Sequence, residues 1–280
     1  MILTDRKGEN LFYKHTEPII HYKSDILESI PHGFSTKHGG VSTNEYTKSM
    51  NLAFGRGDDD DTVRKNFEIF AESIGADPRC GIMLGQVHSA NVLTVTDAEF
   101  GLGVYNKTEL CLDGYVSNTP GALLCVRVAD CVPILFADTE NRVIGAVHSG
   151  WRGSALKIGG KCIERMLELG AEKENIKVAI GPSICADCYT VRDDFVLECR
   201  KLLGDELCSV FIKPGSEPGT YNADLKKLNK TVLLEAGISE KNIDVTDVCT
   251  CCDHEDFFSH RYHKNNRGTG CAMIALPSYK

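Results

Sequence analysis

The sequence predicts a single α+β domain, and three observations support that prediction. Apolar runs of strand length alternate with longer amphipathic segments along all 280 residues. Hydrophobic residues make up 42% of the chain, which is enough to build a large buried core. No repeat, low-complexity tract or long linker interrupts the alternation, and the stretch from Pro214 to Gly219 is too short to separate two domains. We therefore treat residues 1–280 as one domain.

The element that organises the prediction is a hairpin in the middle of the chain. Val132 to Ala137 and Val143 to Val147 are apolar and rich in β-branched residues, and the polar segment between them is typical of a turn. With a two-residue turn at Thr139 and Glu140, Cys131 would lie directly opposite His148, roughly 5 Å away. A slip of one residue would send the two side chains to opposite faces. The hairpin therefore predicts that Cys131 and His148 share a site.

Helix signals follow the hairpin and recur along the chain. The segment Gly-Trp-Arg-Gly-Ser after His148 predicts a strand-to-helix turn, with Ser154 as the N-cap of a helix from Ala155 to Leu169. The acids Asp58 to Asp61 favour the start of a helix that ends at Gly75. Further elements are predicted as helices at Asp193–Leu203 and, capped by Asp224, at Leu225–Ala236, and as strands at Lys177–Ile180 and Ala272–Leu276.

Charge and composition exclude several classes of partner. A net charge of −8 argues against a protein that binds nucleic acid or anionic membranes, although a local basic pocket for phosphate is compatible with it. No run of about 18 uncharged apolar residues is present, and the N-terminus lacks the basic-then-apolar order of a signal peptide. We therefore expect a cytoplasmic protein that acts on small molecules, as a monomer or weak homodimer.

Thirteen cysteines are unusually many for a chain of this length. In the cytoplasm most should be reduced and buried as small apolar residues, with one or two in metal or nucleophile chemistry. Cys185 and Cys188 form a C-x-x-C pair, which alone is weak evidence. Because the spacing of Cys249, Cys251 and Cys252 does not fit a zinc ribbon, the sequence does not predict a four-cysteine zinc site.

The strongest candidates for metal-binding or catalytic residues are His88, Cys131 and His148. Two imidazoles and one thiolate form a zinc site with a fourth position open, as catalytic zinc requires. The same residues also fit a metal-free pair in which Cys131 is the nucleophile and His148 the base. A buried cysteine with two structural histidines is the third interpretation. Residue spacing alone leaves all three open.

Two further segments have the composition of ligand-binding loops. Gly33 to Ser42 combines glycines, hydroxyls and Lys37, and such a loop could bind an anion or form a plain glycine turn. Phe257 to Arg261 joins aromatic rings and an arginine, which together could line a pocket for a flat ligand.

The chain resembles the YfiH/YlmD-like, laccase-domain family, whose members are variously called multicopper polyphenol oxidoreductases and purine nucleoside phosphorylases. The resemblance covers about residues 30 to 276 and rests on separated motifs in the family's order: GFSTKHGGVS, NLAFGRGDD, GQVHSANV, DGYVSNTPG, VADCVPILFAD, AVHSGWRGSA, AIGPSICADCYTV and FFSHR. It implies a four-layer α-β-β-α sandwich. It also implies that His88, Cys131 and His148 are the metal ligands at the sheet ends.

The resemblance further implies a purine nucleoside enzyme, which cleaves adenosine, inosine or methylthioadenosine by phosphorolysis and deaminates adenosine. Phosphate would need cationic and backbone donors, for which Lys37, the Gly39-Gly40 turn and Arg152 are candidates. Asn51 and Arg261 are further candidates for substrate contacts. Deamination would need an activated water, which zinc supplies, and a proton carrier, for which Asp130 beside Cys131 is the candidate.

The sequence departs from the family pattern at one motif and from the family name in one respect. Members usually end with Thr-Gly-Arg, but this chain has Thr269-Gly270-Cys271, so any contact of that arginine is absent or supplied by Arg267. Copper-dependent phenol oxidation needs a three-copper cluster with many histidines, and the chain has only nine. Zinc is therefore the expected metal and copper the alternative. A non-enzymatic alternative is a metal-stapled scaffold that binds nucleotides or partner proteins.

Overall fold

The computed structural model of the chain describes residues 12–278. Its strands form three sheets. The first sheet has the strand order β1 (Phe12–His15), β2 (His21–Ser24), β3 (His32–Ser35), β15 (Gly270–Ala275), β7 (Leu123–Val128) and β4 (Gly81–Ile82). The second has the order β14 (Ile243–Val245), β10 (Lys177–Ile180), β8 (Val132–Asp138), β9 (Val143–Ser149), β6 (Gly114–Ser117) and β5 (Val92–Thr94). A small third sheet is formed by β11 (Thr190–Arg192), β13 (Thr220–Ala223) and β12 (Ile212–Pro214).

Helices pack against the two large sheets. They are α1 (Asp60–Ser73), α2 (Trp151–Ala155), α3 (Ile158–Glu168), α4 (Asp193–Phe211), α5 (Leu225–Glu235) and α6 (His260–His263). The predicted α+β class is confirmed, while the four-layer order implied by the resemblance stays a prediction. Within the part of the chain that the structure describes, no helix has both the length and the apolar character that a bilayer crossing requires.

Three apolar clusters hold these elements together. One packs α3, α4 and α5 on the second sheet, for example through Phe136, Ile163 and Leu228. Another contains buried residues of both large sheets, and the third packs Phe67 and Phe70 of α1 on the first sheet. A buried apolar side chain contributes about 1.5–3 kcal/mol, so these clusters fix the strand ends on which a site can be built.

The predicted register of the central hairpin is wrong by two residues. Asp138 pairs with Val143, so the turn has four residues and not two, and Pro133 lies opposite His148. The Asp138 carboxylate closes this wider turn by accepting the backbone N–H groups of Glu140 and Asn141 at 3.1 and 2.9 Å. A slip of two residues preserves the face of every side chain. Cys131 therefore stays on the face of His148, although the two residues are not a directly opposed pair.

The predicted N-cap at Ser154 is also wrong. Gly150 is the N-cap, so α2 begins at Trp151 directly after the strand, and the single predicted helix is divided into α2 and α3. Lys157 has a left-handed backbone (φ 57°) at the division. The Ser154 hydroxyl is buried and lies 2.9 Å from both Ser149 Oγ and Asn229 Nδ2. Ser154 thus joins α2 to β9 and α5.

Other helix predictions are closer to the structure. Asp59 caps α1 and accepts the N–H of Thr62, which agrees with the acidic start predicted there. Asp224 caps α5 as predicted and accepts the N–H of Lys227 at 2.9 Å. The helix predicted to end at Leu203 resumes after a non-helical Gly204 (φ 77°) and runs to Phe211.

Candidate metal centre and cavity

His88, Cys131 and His148 converge at one end of the second sheet. One ligand atom from each residue lies within 4.8 Å of the other two. His148 lies on β9 and is buried, Cys131 directly precedes β8, and His88 lies in the loop between β4 and β5. The two imidazole rings meet edge to face with centroids 4.9 Å apart. We call these three residues the open group, because three ligands leave a tetrahedral metal one free position.

Asp113 holds the open group together, although it is not among the site residues predicted from the sequence. Its Oδ1 accepts a hydrogen bond from His148 Nδ1 at 2.8 Å, which leaves Nε2 of that ring for a metal. A carboxylate in this position fixes the tautomer and the orientation of a ligating histidine. Asp113 is fully buried just before β6. The available signal was its place at the start of the DGYVSNTPG motif, before a buried strand.

The same carboxylate shapes the loop that presents His88. Asp113 accepts backbone N–H groups from Val87, His88 and Ser89 at 3.2, 3.0 and 2.7 Å, and the Ser89 hydroxyl at 2.8 Å. His88 has a left-handed backbone (φ 58°), which is uncommon for a residue with a side chain. The hydrogen bonds to Asp113 hold this conformation and direct the His88 ring towards His148.

Gly150 leaves the space that the open group occupies. A Cβ built on Gly150 would lie 2.2 Å from His88 Nδ1 and 3.4 Å from Cys131 Sγ. The first distance is far below any real contact of a Cβ, so a side chain here would displace the His88 ring. The donor set, the Asp113 hydrogen bond and this glycine all fit a bound metal ion. Nitrogen and sulfur donors in this number are those that zinc takes.

The two histidines have opposite shifts in pKa. Burial alone would lower the pKa of His148, but the nearby Cys131 sulfur and the Asp113 carboxylate raise it to about 9. Burial lowers the pKa of His88 from its ordinary value, and the charge of His148 lowers it further. Burial raises the pKa of Asp113, but the hydrogen bonds from His148 and Ser89 outweigh this and bring it to about 2. The surroundings of His148 therefore favour its protonated form.

The open group faces a cavity of about 380 Å³, within the size range of small-molecule sites. Trp151 and Tyr189 form aromatic parts of its wall, and both rings pack on Phe195 with centroids 5.1 and 5.9 Å away. Asp130, His260, Arg261 and Arg267 supply its polar lining. The open group, two aromatic rings and two arginines therefore converge on one cavity.

The two arginines of the cavity are held by different segments of the chain. Arg261 Nη1 donates to the carbonyls of Cys188 and Thr190 at 2.8 and 3.2 Å, and its guanidinium lies 5.2 Å from the centre of the Tyr189 ring. Arg267 Nη1 donates to Gly268 O and Thr269 Oγ1, while its Nε is buried without a partner among the described residues. Cys271, at the position of the family arginine, is buried in the apolar core of the first sheet.

Asp130, the candidate proton carrier, lies at the cavity in a left-handed backbone conformation (φ 87°). Its Oδ1 accepts the Thr250 hydroxyl at 2.7 Å and its Oδ2 accepts the backbone N–H of Arg261 at 2.6 Å. Asp130 therefore ties the segment of Cys131 to the loops that carry Thr250 and Arg261.

The structure does not bring three of the predicted binding residues into the cavity. Lys37 Nζ donates to the carbonyl of His254 at 2.9 Å, outside the cavity lining. Asn51 is fully buried, donates to Asp58 and accepts the N–H of Thr269, so its amide fixes a loop. Arg152 is exposed and stacks over Trp151, 4.2 Å from the ring centre, and it does not line the cavity.

The sequence did not predict a four-cysteine zinc site, but the structure brings four cysteines together. Cys185, Cys188, Cys249 and Cys252 lie with their sulfur atoms within 4.8 Å of one another. We call them the cysteine group. The second pair, Cys249 and Cys252, is itself a C-x-x-C, which the intervening Cys251 obscures in the sequence.

A comparison with known families decides to which one the chain belongs. Residues 31–277 match the sequence model of the family described as multi-copper polyphenol oxidoreductase laccase. The chain belongs to this laccase family. The match confirms the family that the motifs indicated, over nearly the same residues.

Named relatives within the laccase family point to nucleosides. The chain is 36% identical over 251 residues to "Purine nucleoside phosphorylase YlmD" of Geobacillus stearothermophilus, covering 87% of this chain and 88% of the relative. It is 33% identical over 251 residues to "Adenosine deaminase RL5" of an unknown prokaryotic organism, covering 88% and 95%. The crystal structure of the Bacillus licheniformis hypothetical protein YfiH superimposes with a TM-score of 0.86 at 28% identity, over 94% of this chain and 98% of that one.

Proposed function

We propose that this protein cleaves purine nucleosides by phosphorolysis and deaminates adenosine, with a zinc ion held by His88, Cys131 and His148. One observation carries the proposal: the open group faces a cavity that also contains two aromatic rings and two arginines. Family relatives named as purine nucleoside phosphorylases and as an adenosine deaminase support the same substrates.

The cavity wall has groups that suit both the purine ring and the phosphate. Trp151 and Tyr189 offer faces on which a purine ring stacks, and such stacking is worth about 1–3 kcal/mol per base. Arg261 and Arg267 provide the guanidinium groups that bind a phosphate. We therefore assign phosphate to these two arginines and not to Lys37 or Arg152, which lie outside the lining.

A zinc ion bound at the open group would supply Lewis acidity beside the substrate. The protein's own groups do the rest. In phosphorolysis the bond from the base to ribose C1′ breaks, a phosphate oxygen forms the new bond to C1′, and the departing base takes a proton. Arg261 and Arg267 hold the phosphate by charge-assisted hydrogen bonds. Asp130 lines the cavity, and each of its oxygens keeps a lone pair with which it can take up and return a proton.

Phosphate dependence tests the proposal. Purified protein is incubated with adenosine, inosine, guanosine and methylthioadenosine, with and without inorganic phosphate, and bases and sugar products are separated by chromatography. We expect base and ribose 1-phosphate in equal amounts only when phosphate is present, and inosine from adenosine in either case. Cys131→Ser is the inactive control. Base release that is equally fast without phosphate would instead show a nucleoside hydrolase.

A cysteine hydrolase is a second candidate, because Cys131, His148 and Asp113 also have the order of a nucleophile, a base and an orienting acid. Asp113 accepts a hydrogen bond from His148 Nδ1, and the Cys131 sulfur helps to raise the pKa of His148. Under the zinc proposal, a chelator abolishes adenosine deamination, added zinc restores it, and iodoacetamide labels Cys131 only after chelation. Peptide mapping must read the labelling, since the chain has thirteen cysteines. Fast labelling of Cys131 in zinc-loaded protein, with loss of activity, would favour the hydrolase.

Polyphenol oxidation, which the family description names, is not supported by the ligands present. A three-copper cluster requires many histidines. Between residues 12 and 278, the open group is the one group of potential metal ligands that contains histidine, and it has two. Elemental analysis of protein purified without added metal distinguishes zinc from copper. We expect zinc, and copper in its place would overturn this part of the proposal.

A further inference from the structure

The cysteine group is built from two loops that are distant in the sequence. Cys185 and Cys188 lie in the loop between β10 and β11, and Cys249 and Cys252 lie in the loop between β14 and α6. A parallel bridge between Ser183 and Cys249 brings these loops together. The arrangement is therefore fixed by backbone pairing at the end of the second sheet.

The distances between the sulfur atoms are those of ligands and not of a disulfide. Cys188 Sγ and Cys252 Sγ are 3.5 Å apart, and Cys185 Sγ and Cys252 Sγ are 4.0 Å apart. A disulfide bond is about 2.0 Å long. Four sulfurs at about 2.3 Å from a tetrahedral zinc are separated by roughly 3.8 Å, which lies between the two observed distances. The four side chains thus surround a space of zinc size.

Backbone N–H donors and a buried cation lie beside the cysteine group. Cys249 is buried, and its sulfur accepts the backbone N–H groups of Cys185 and Cys252 at 3.2 and 3.4 Å. Lys226 is buried nearby and is attracted by Cys249 and Cys185, so a cation offsets part of the charge of the group. Its ammonium donates to the carbonyls of Thr246 and Val248 at 3.0 and 2.7 Å.

We propose that Cys185, Cys188, Cys249 and Cys252 bind one Zn²⁺ as a closed structural site, separate from the open group. Four protein ligands fill the tetrahedral positions, so this zinc has no place for substrate or water. Its role is to hold the two loops together, because metal binding at such a site adds directly to the stability of the folded state.

The first of these loops lines the cavity, and the second contacts a residue that does. Tyr189 follows Cys188 directly, and the carbonyl of Cys188 accepts a hydrogen bond from Arg261. Thr250, between Cys249 and Cys252, donates to Asp130. The structural zinc would therefore position Tyr189, Arg261 and Asp130 without touching the substrate.

Zinc content and zinc ligation test this site independently of any enzyme activity. In the double variant Cys131→Ser/His148→Ala, which disables the open group, we expect about one zinc per chain. X-ray absorption of that zinc should show four sulfur neighbours at about 2.3 Å. Adding Cys252→Ser or Cys185→Ser should remove it, whereas Cys251→Ser, in the same loop but outside the group, should not. If the double variant does not fold, Cys252→Ser in the wild-type chain should lower the zinc content by one per chain.

Other outcomes overturn the site. They are a zinc with nitrogen neighbours only, a zinc lost as readily in Cys251→Ser as in Cys252→Ser, or a zinc-free chain in which all four thiols are alkylated at once. Failure of phosphorolysis would leave these results unchanged, so the two proposals fail separately. If both hold, Cys252→Ser should raise the KM for nucleoside more than it lowers kcat, while the metal at the open group is retained.

Discussion

The open group and the cysteine group differ in how the chain supplies their ligands. His148 and Cys131 lie at the paired ends of β9 and β8, and His88 is held in place by Asp113. All four cysteines come from loops. The open group has three ligands and faces a cavity, whereas the cysteine group has four and encloses its centre. The comparison teaches that ligand number separates a centre suited to chemistry from one suited to holding loops together.

The substitution Gly150→Ala is the sharpest test of the difference between the open group and the cysteine group. Because the added Cβ would lie 2.2 Å from His88 Nδ1, Gly150→Ala should lower the activity to background and empty the open group, while the cysteine group keeps its zinc. Metal content and turnover are the measurements. Gly160→Ala is the control, since its Cβ meets only Val232 at 3.8 Å. Full metal content and activity in Gly150→Ala would show that His88 is not a ligand.

The open group should also have a pH signature after its metal is removed. The pKa of His148 is about 9 in the folded protein and about 6.5 when unfolded, so the folded state binds an extra proton between these values. The stabilisation is complete below pH 6.5 and is lost as the pH rises through 9, on the order of 3 kcal/mol. Thermal unfolding of chelated protein measures it, with His148→Gln as reference. A stability difference between the two that does not change from pH 6.5 to 9 would contradict it.

Asp113→Asn should weaken the open group without emptying the cysteine group. The asparagine can still accept one hydrogen bond, but it loses the charge that orients His148, so metal affinity and activity should fall about 10–100-fold. Metal competition with a chelator gives the affinity. Asp256→Asn is the matched control, because Asp256 also pairs with a histidine, His38, outside the cavity lining. Equal effects of the two substitutions would mean that Asp113 acts on general stability only.

Arg261 lies between the two groups and should have the smallest of these effects. Arg261→Ala removes a cation from the cavity and the hydrogen bond to Cys188, so the phosphate requirement should rise about tenfold while both groups keep their metals. Steady-state kinetics at varied phosphate measures the change. Arg152→Ala, which removes an exposed guanidinium, should have little effect. A larger effect of Arg152→Ala would instead assign phosphate binding to Arg152.

The sequence could predict that the residues of the open group lie together, because their positions follow from strand alternation and from the family motifs. The side-chain alternation of two buried strands put Cys131 and His148 on one face, and this result survived an error of two residues in the register. The motifs of the family supplied His88. Asp113 was missed because its role arises from hydrogen bonds to residues more than twenty positions away in the chain.

Contacts between distant segments also explain what the sequence patterns do not reveal. Lys37 has the right chemistry for phosphate, but its glycine loop packs against the segment of His254 and Asp256, which a local pattern does not reveal. The cysteine group depends on the bridge between Ser183 and Cys249, and no periodicity encodes a contact of that range. In these two cases the sequence composition identified residues suited to binding, but their contacts depend on the tertiary fold.

The hydrogen bond between Asp130 and Thr250 links the two segments that carry the open group and the cysteine group. Asp130 precedes the ligand Cys131, and Thr250 lies between the ligands Cys249 and Cys252. Binding equilibria joined through one folded element are reciprocal. If a metal at the cysteine group changes the metal affinity of the open group by some factor, a metal at the open group changes the affinity of the cysteine group by the same factor. If that factor favours binding, partial loading of a preparation yields chains with both metals or neither, in excess of chance.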